Sequence, residues 1–416
     1  MSGPEVVIIG AGQAGLATSY CLTAEGIDHA VLERGVLGDS WSRRRWDSFT
    51  LVTPNWTVRL PGAGYRGSDP DGFMGRDEIA AFLADWARRF GCPVRTGVAA
   101  TALGRGRNGR LRVDTMDGPL EAPAVVVATG TMQAPRRPAF AESVSPRIRQ
   151  LDAETYRNPG DLAPGAVLVV GSGQTGGQIA DELRLSGRRV LLSTGAAGRV
   201  PRRYRGRDCV AWLADLGFLD RTPGMLESPA QRFRAEAQAS GRDGGRTISL
   251  HRFLRDGVEL LGKLVAVDGE TARFADDLQQ NIEAGDGFSR MFREAVDAYV
   301  ERNGIAAPLP TGEELDGEAR ADDPPAVPRP SIDLRAENVT AVVWATGFSY
   351  DFSWIDFPVC DETGYPVTDR GATSVPGLYF MGLNWMVTRK SGLLYGVGDD
   401  ARDVAAGIAN YLESLN

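Results

Sequence analysis

The chain has 416 residues, 43% hydrophobic and 24% charged, which is the balance of a folded globular protein and too long for one ordinary core. Lys and Arg total 46 against 54 Asp and Glu, a formal charge of −8, so no overall field draws nucleic acid or an anionic membrane surface to it. Two histidines and four scattered cysteines without a C-x-x-C leave little for a metal site, a histidine triad or a disulfide framework. No apolar run approaches the roughly 18 residues of a membrane span, and a soluble, cytoplasmic protein is expected.

The first element is Val6-Val7-Ile8-Ile9, a short apolar strand that breaks at once into Gly10-Ala11-Gly12-Gln13-Ala14-Gly15 and is too brief for a signal peptide. A strand ending in G-x-G-x-x-G and opening a helix brings glycine backbone and helix N-terminal amides to a pyrophosphate. The helix continues to Gly26, and His29 to Glu33 is the next strand, with His29 read as a packed imidazole. The Glu33 carboxylate accepts ribose hydroxyls and repels a 2′-phosphate, which suits FAD or NAD and not NADP. Arg34 beside it joins the candidate contacts.

Residues 35–65 leave the strand-helix rhythm. Gly38-Asp39-Ser40-Trp41, the run Arg43-Arg44-Arg45 and Thr53-Pro54-Asn55-Trp56 gather tryptophan, guanidinium and hydroxyl groups, which suits a wall around a flat ring and a diphosphate. A surface loop with a few buried tryptophans is the plainer reading of the same residues. Gly75 to Ala87 has the spacing of an amphipathic helix with acids in its first turn. A β-rich part closes on Val125-Val126-Val127-Ala128-Thr129-Gly130, a pattern that Val343-Trp344-Ala345-Thr346-Gly347 repeats much later. Pro135, Pro138, Pro146 and Pro159 then punctuate a linker, which puts a domain boundary near residue 160.

Directly after it the opening motif recurs: Ala166-Val167-Leu168-Val169-Val170 runs into Gly171-Ser172-Gly173-Gln174-Thr175-Gly176. Two copies imply two dinucleotides held side by side. The following strand ends in Ser193-Thr194-Gly195 and not in an acid, with Arg199, Arg202 and Arg203 shortly beyond. Small hydroxyls and bidentate guanidinium groups are what a ribose 2′-phosphate requires, so the second nucleotide is expected to be NADPH. A nucleic-acid patch or a solvated face is the competing reading of that cluster.

Residues 210–330 carry no catalytic constellation. Helical periodicity over 228–239 and 288–300 predicts an inserted helical layer, a candidate for homodimer contacts or for covering the substrate, and 311–330 reads as an acidic, Pro-rich linker. Val375 to Gly382 is a turn and strand ending in glycine, and Ser391 to Ala401 opens a last helix whose N-terminus would stabilise negative charge on a reduced ring. The expected fold is α/β: two Rossmann-like dinucleotide-binding domains of three layers (ββα). The first is discontinuous (1–160 plus 331–416) and the second is inserted into it (161–330), with a helical insertion at about 210–330.

The two glycine motifs, the two Ala-Thr-Gly strands, Gly38 to Trp41 and the closing 378–401 segment together resemble the class B flavin-containing monooxygenases, in particular bacterial members related to the plant indole-3-pyruvate monooxygenases. The resemblance runs over nearly the whole length and is thin over 210–330. It implies FAD in the N- plus C-terminal domain and NADPH in the middle one. It also implies a monooxygenase that places one atom of O2 in a small organic substrate by way of a flavin C4a-hydroperoxide, at nitrogen or sulfur or alternatively at a carbonyl. The rival enzyme is a reductase passing electrons from NADPH through FAD to an acceptor, of which the missing C-x-x-C disfavours the disulfide version; a flavin-holding redox sensor is the rival outside catalysis.

Carried onto this chain, the resemblance puts Gly10, Gly12, Gln13, Ala14, Gly15 and Glu33 on the FAD adenosine and pyrophosphate. Trp41, Thr53, Asn55, Gly382 and Ser391 fall nearer its ring. Thr129, Gly130, Ala345, Thr346 and Gly347 are strand-end contacts, and Gly171 to Gly176 receive NADPH. The chain departs from the family pattern at three places. Asp152 stands where the signature between the domains carries a histidine. Thr194 stands where plant relatives carry an arginine, which leaves the phosphate to Arg199, Arg202 or Arg203. Val52 stands where animal members hold an asparagine near the flavin, and Asn55 is the substitute. Asn55 and Asp152 are therefore the candidate catalytic residues.

Overall fold

The structure is a computed structural model that describes residues 3–234 and 237–415. Its first sheet contains β1 (Val6–Ile9), β2 (His29–Glu33), β3 (Val94–Thr96), β4 (Ala124–Val127) and a strand from near the other end of the chain, Leu378–Phe380, in the order Leu378–Phe380, β4, β1, β2, β3. All four pairings are parallel, with Val6 opposite His29 on one side and Ala124 on the other. Both faces of such a sheet are covered, so its strands read as unbroken apolar runs rather than alternating ones.

The two faces of β1 sort cleanly. Val6 and Ile8 pack with Val31 and Val126 against the helices α1 (Gln13–Ala24), α2 (Arg76–Arg89) and Val397–Glu413. Val7 and Ile9 pack with Leu32 and Val127 against Leu103, Leu111 and Val113 of a three-stranded antiparallel meander, Ala100–Arg105, Leu111–Thr115 and Leu120–Ala122. Each of these fully buried side chains contributes about 1.5–3 kcal/mol. The layers are helix, parallel sheet and β-meander, the ββα arrangement expected.

The second unit repeats the plan. Its parallel sheet contains β5 (Arg149–Asp152), β6 (Ala166–Val170), β7 (Val190–Ser193), β8 (Glu259–Leu261) and β9 (Val339–Trp344), in the order β5, β9, β6, β7, β8; Leu378–Phe380 of the first sheet becomes β10. Val167 and Val169 face α3 (Gln174–Leu185), while Leu168 and Val170 face a second meander, Leu264–Asp268, Thr271–Phe274 and Ser331–Asp333.

This topology moves the seam from where the prolines placed it. Arg149–Asp152 and Val339–Trp344 lie on opposite sides of the expected boundaries at 160 and 331, yet both hydrogen-bond within the second sheet. The second Ala-Thr-Gly strand therefore belongs with the second glycine loop, as the first does with the first. The stretch 210–330 also differs from the helical layer expected. It supplies β8 and two meander strands beside the helices α4 (Cys209–Asp215) and α5 (Leu278–Arg302). In place of a helix over 228–239 there is one turn, Pro229–Phe233, with Ala235 and Glu236 outside the described residues. Helix α5 does cover the predicted 288–300 and packs Phe292, Val296 and Val300 onto Trp212.

Between the two sheets runs the arginine- and tryptophan-rich segment 43–55. Its Ser48 hydroxyl donates to Glu182 Oε1 at 2.6 Å, and the Tyr156 hydroxyl donates to Glu182 Oε2 at 2.7 Å. Asp47 N donates to Arg157 O at 2.9 Å and Arg202 Nη1 donates to Val52 O at 2.8 Å, so the segment is held from the second domain at several points. Tyr156 and Glu182 are almost wholly buried, and burial beside a carboxylate pushes the phenol far above its usual range, which keeps it a donor. Replacement of Glu182 by Ala leaves two hydroxyls without their acceptor. We expect a stability loss of about 2–4 kcal/mol, read as a lowered urea midpoint, and a change below about 0.5 kcal/mol would show that the domains are held together elsewhere.

Candidate active site

The two glycine loops are built alike because the same close approaches recur in each. Gly10 has φ +106°, and a Cβ on it would lie 2.5 Å from Ala128 O; Gly171 has φ +101°, and its Cβ would lie 2.6 Å from Ala345 O. A Cβ on Gly15 would come within 1.8 Å of Gly10 O, and one on Gly176 within 1.8 Å of Gly171 O. These contacts press each helix start onto the end of its strand, with the neighbouring Ala-Thr-Gly strand alongside.

Gly12 differs from these four: its φ is −77°, and no atom lies within 4 Å of where a Cβ would stand. Neither backbone conformation nor protein packing requires glycine there, and the open space lies at the mouth of α1. Neither α1 nor α3 has a side-chain cap, its N-cap being Gly12 or Gly173, so the first-turn amides are left for an anion. The residues present fit a dinucleotide pyrophosphate at each loop. Glu33, at the end of β2 beside the first loop, is half-buried, with Ala11 N donating to Oε2 at 2.9 Å and Gly35 N to Oε1 at 2.8 Å.

The C-terminal segment clasps the first turn of α1. Gln13 Nε2 donates to Gly392 O at 2.7 Å, and a Cβ on Gly382, φ +78°, would lie 2.4 Å from the Ala14 Cβ. Ser391 is fully buried and accepts from Val387 N at 3.0 Å and Thr388 N at 2.9 Å. It also hydrogen-bonds Asp400 in the first turn of the last helix, a residue that sequence reasoning missed although Gly-Asp-Asp at a helix start is a visible signal. Burial raises the Asp400 carboxyl to about 6, opposed by the Ser391 hydroxyl, and its Oδ2 has no partner.

The other ring-side candidates are placed unevenly. Trp41 is half-buried against Phe49, ring centroids 5.9 Å apart, with the Arg45 guanidinium 5.4 Å from one and 5.3 Å from the other. Gly38, φ +76°, lets the chain pass Ala80, while Arg34 and Ser40 are exposed. Thr53 accepts a hydrogen bond from Thr57, and Thr129 accepts one from Gln133. The Thr346 hydroxyl donates to Arg136 O.

The two residues singled out as catalytic are engaged otherwise. Asn55 is buried, donates to Asp69 O at 3.0 Å and accepts from Met74 N at 2.7 Å, so its amide ties one loop to another. Asp152 accepts from Arg137 at 2.8 Å and from the Thr155 hydroxyl at 3.0 Å, which closes the turn after β5.

Near the second loop the structure departs from the phosphate site expected. The Ser193 hydroxyl donates to Gly262 O, and the Thr194 hydroxyl donates to Leu261 O and accepts from Asn281 of α5. Arg199, 2% exposed, is held by Glu318 at 2.7 Å and Asp286 at 2.7 Å, and Arg202, also 2% exposed, is chelated by Asp208. These four residues are internal structure: α5 and the acidic 311–330 segment cover the strand end and neutralise Arg199, and Asp208 neutralises Arg202. Gln174 exchanges two hydrogen bonds with the Ala239 backbone, and Gln238 donates to Ser172 O, so the 238–239 backbone lies against this loop. Only Arg203 of the cluster is exposed, with Nη2 donating to Gly244 O.

Arg203 lines a cleft of about 630 Å³ between the domains. Trp56 and Tyr395 form part of its other wall, their rings edge-to-face at 5.6 Å. Both follow closely on segments already described: Trp56 succeeds Asn55, and Tyr395 lies just past Gly392. Arg59 N donates to Leu394 O at 3.2 Å and joins these two segments.

Two tests separate ligand-directed from structural roles. Gly12→Ala adds a methyl where no protein atom stands; we expect the melting temperature of the flavin-free protein to hold while flavin affinity falls about tenfold or more, and equal affinity would remove Gly12 from the site. For Asp400 the folded-state carboxyl lies above its unfolded value, so the folded state holds the proton longer and stability falls as pH rises between about 4 and 6. Asp400→Asn should therefore gain stability relative to the parent, by about 2 kcal/mol, on going from about pH 4.5 to 7.5. A pH-independent difference in unfolding midpoint would contradict the assignment.

A sequence profile described as pyridine nucleotide-disulphide oxidoreductase matches residues 7–210. An uncharacterized CzcO-like oxidoreductase of Geobacillus kaustophilus is 33% identical over 410 residues, 98% of this chain and 99% of that one. The rice indole-3-pyruvate monooxygenase YUCCA1 is 33% identical over 186 residues, covering 43% of this chain and 45% of its own. In three dimensions the flavin-containing monooxygenase of Stenotrophomonas maltophilia superposes with a TM-score of 0.66 at 21% identity, over 99% of this chain and 100% of that one. With both dinucleotide loops in place and a relative matched end to end, the chain belongs with these CzcO-like oxidoreductases in the class B flavin-containing monooxygenase family.

Proposed function

We propose that this flavin-dependent monooxygenase oxygenates nitrogen or sulfur in a small organic substrate, with FAD on the first glycine loop and NADPH on the second. The observation that carries the reading is the repetition of one loop geometry on two parallel sheets, with Glu182 bonding across the segment between them. Two dinucleotides seated on such loops lie within one molecule, in reach of each other. When bound, the flavin supplies acceptance of a hydride from the nicotinamide and activation of O2.

The chain's own residues position and enclose. The α1 amides and Glu33 hold the FAD end, the 382–392 segment closes over the first turn of α1, and the α3 amides receive the second pyrophosphate. Nitrogen and sulfur bring their own lone pair to an electrophilic oxygen and need no general base. The engagement of Asp152 favours that choice, since its carboxylate is already paired with Arg137, and it likewise favours oxygenation at a heteroatom over a carbonyl.

The test is turnover with labelled O2 against a panel of thioethers, amines and ketones. We expect NADPH-dependent sulfoxide or N-oxide carrying one labelled atom; oxidation of NADPH with hydrogen peroxide as the sole product across the panel would overturn the proposal.

A further inference from the structure

We infer that the cleft between the domains seats the substrate and selects small aromatic monocarboxylates through the guanidinium groups of Arg59 and Arg203. The inference deepens the oxygen-transfer reading and rests on it. At about 630 Å³ the cleft is of the size that takes a small organic molecule.

Its charge comes from which side chains remain unpaired. Three arginines, Arg59, Arg203 and Arg207, and three aspartates, Asp71, Asp208 and Asp215, line it. Arg207 is neutralised by Asp215 at 2.8 Å, and Asp208 is taken from behind by Arg202. What remains is Arg59 and Arg203 against Asp71, two positive charges and one negative, or +1 in a chain whose formal charge is −8. A net charge of +1 suits a monoanion; Asp71 would oppose a second negative group.

The two arginines are also disposed to donate. Neither forms an ion pair among the described residues, unlike Arg199, Arg202, Arg205 and Arg207 in the same part of the chain. Arg203 gives one bond to Gly244 O, at 2.9 Å. Arg59 stacks its guanidinium 5.6 Å from the Trp56 ring and 4.9 Å from the Tyr395 ring. Stacking uses the face of the guanidinium plane and leaves the edge N–H groups to meet a carboxylate in its own plane. Trp56 and Tyr395 stand edge-to-face, with 88° between their planes, and make the aromatic corner against which a substrate ring packs. Tyr395 lies three residues past Gly392, whose carbonyl accepts from Gln13 of α1, and Arg59 N bonds Leu394 O, so this aromatic wall is tied to the first dinucleotide loop through the C-terminal segment.

The experiment compares 4-(methylthio)benzoate with its neutral counterpart thioanisole. Both are titrated calorimetrically into the oxidised FAD-bound holoenzyme without NADPH, and both are then assayed for sulfoxide. The benzoate is expected to bind at least about tenfold tighter than thioanisole, and Arg59→Gln and Arg203→Gln are each expected to weaken it about tenfold or more while leaving thioanisole unchanged. Both positions are exposed, and flavin content with melting temperature reports retained folding. In turnover Arg59→Gln should raise KM for the benzoate with little change in kcat. Equal binding of the two probes, or benzoate binding unaffected in the double variant, overturns the inference even if sulfoxide forms. Arginine-dependent benzoate binding without labelled sulfoxide from either probe upholds the anion-selective cleft and removes the oxygen-transfer reading beneath it.

Discussion

The constraint on which the rest of this molecule depends is the contact between the carbonyl of the glycine that follows a strand and a second glycine five residues later, in the first turn of the helix. Gly15 beside Gly10 O, and Gly176 beside Gly171 O, leave no room for a single carbon. That closeness sets each helix mouth at the end of its sheet, beside the adjoining Ala-Thr-Gly segment. A methyl on Gly15 or Gly176 would push the helix off its strand, and one on Gly10 or Gly171 would collide with the neighbouring Ala-Thr-Gly segment. The fold and the nucleotide site are therefore consequences of one steric requirement met twice.

Much of this was legible in the chain because the requirement is local. The glycine spacing, the apolar runs and the acid at Glu33 sit within a few dozen residues, and strand-turn-helix geometry follows from them without reference to distant parts. The arginine cluster was misread for the opposite reason. Arg199 looks available until Glu318 arrives from 119 residues further on, and nothing in the local pattern announces a carboxylate from a segment that reads as a linker. Asn55 and Asp152 were misread likewise: polar residues near a predicted site have partners, here Asp69 O, Met74 N, Arg137 and Thr155, that emerge only when the loops close.

The seam between domains was misplaced by a related effect. Prolines mark where chain direction changes, but sheet membership is decided by which edge a strand joins, and Arg149–Asp152 joins β9 after the turn that precedes it. The long region between α4 and β9 was opaque because three kinds of structure alternate within it at short intervals, so no periodicity has length to develop. The charge pairing of its acidic segment, with His251 between Asp286 at 3.0 Å and Asp323 at 3.2 Å, binds that region into one layer over the second sheet.

The placement of β10 and the last helix has a bearing on biosynthesis. The second domain draws every strand of its sheet from residues 149–344, whereas the first must wait for Leu378–Phe380 to complete its edge and for Val397–Glu413 to cover α1. As the chain leaves the ribosome from its amino end, the inner unit has all its parts before the outer one does. Strand β1 and helix α1 thus remain with an uncovered apolar side until Val397–Glu413 has been made, and of the two nucleotide loops the one synthesised before the other is the later to be finished.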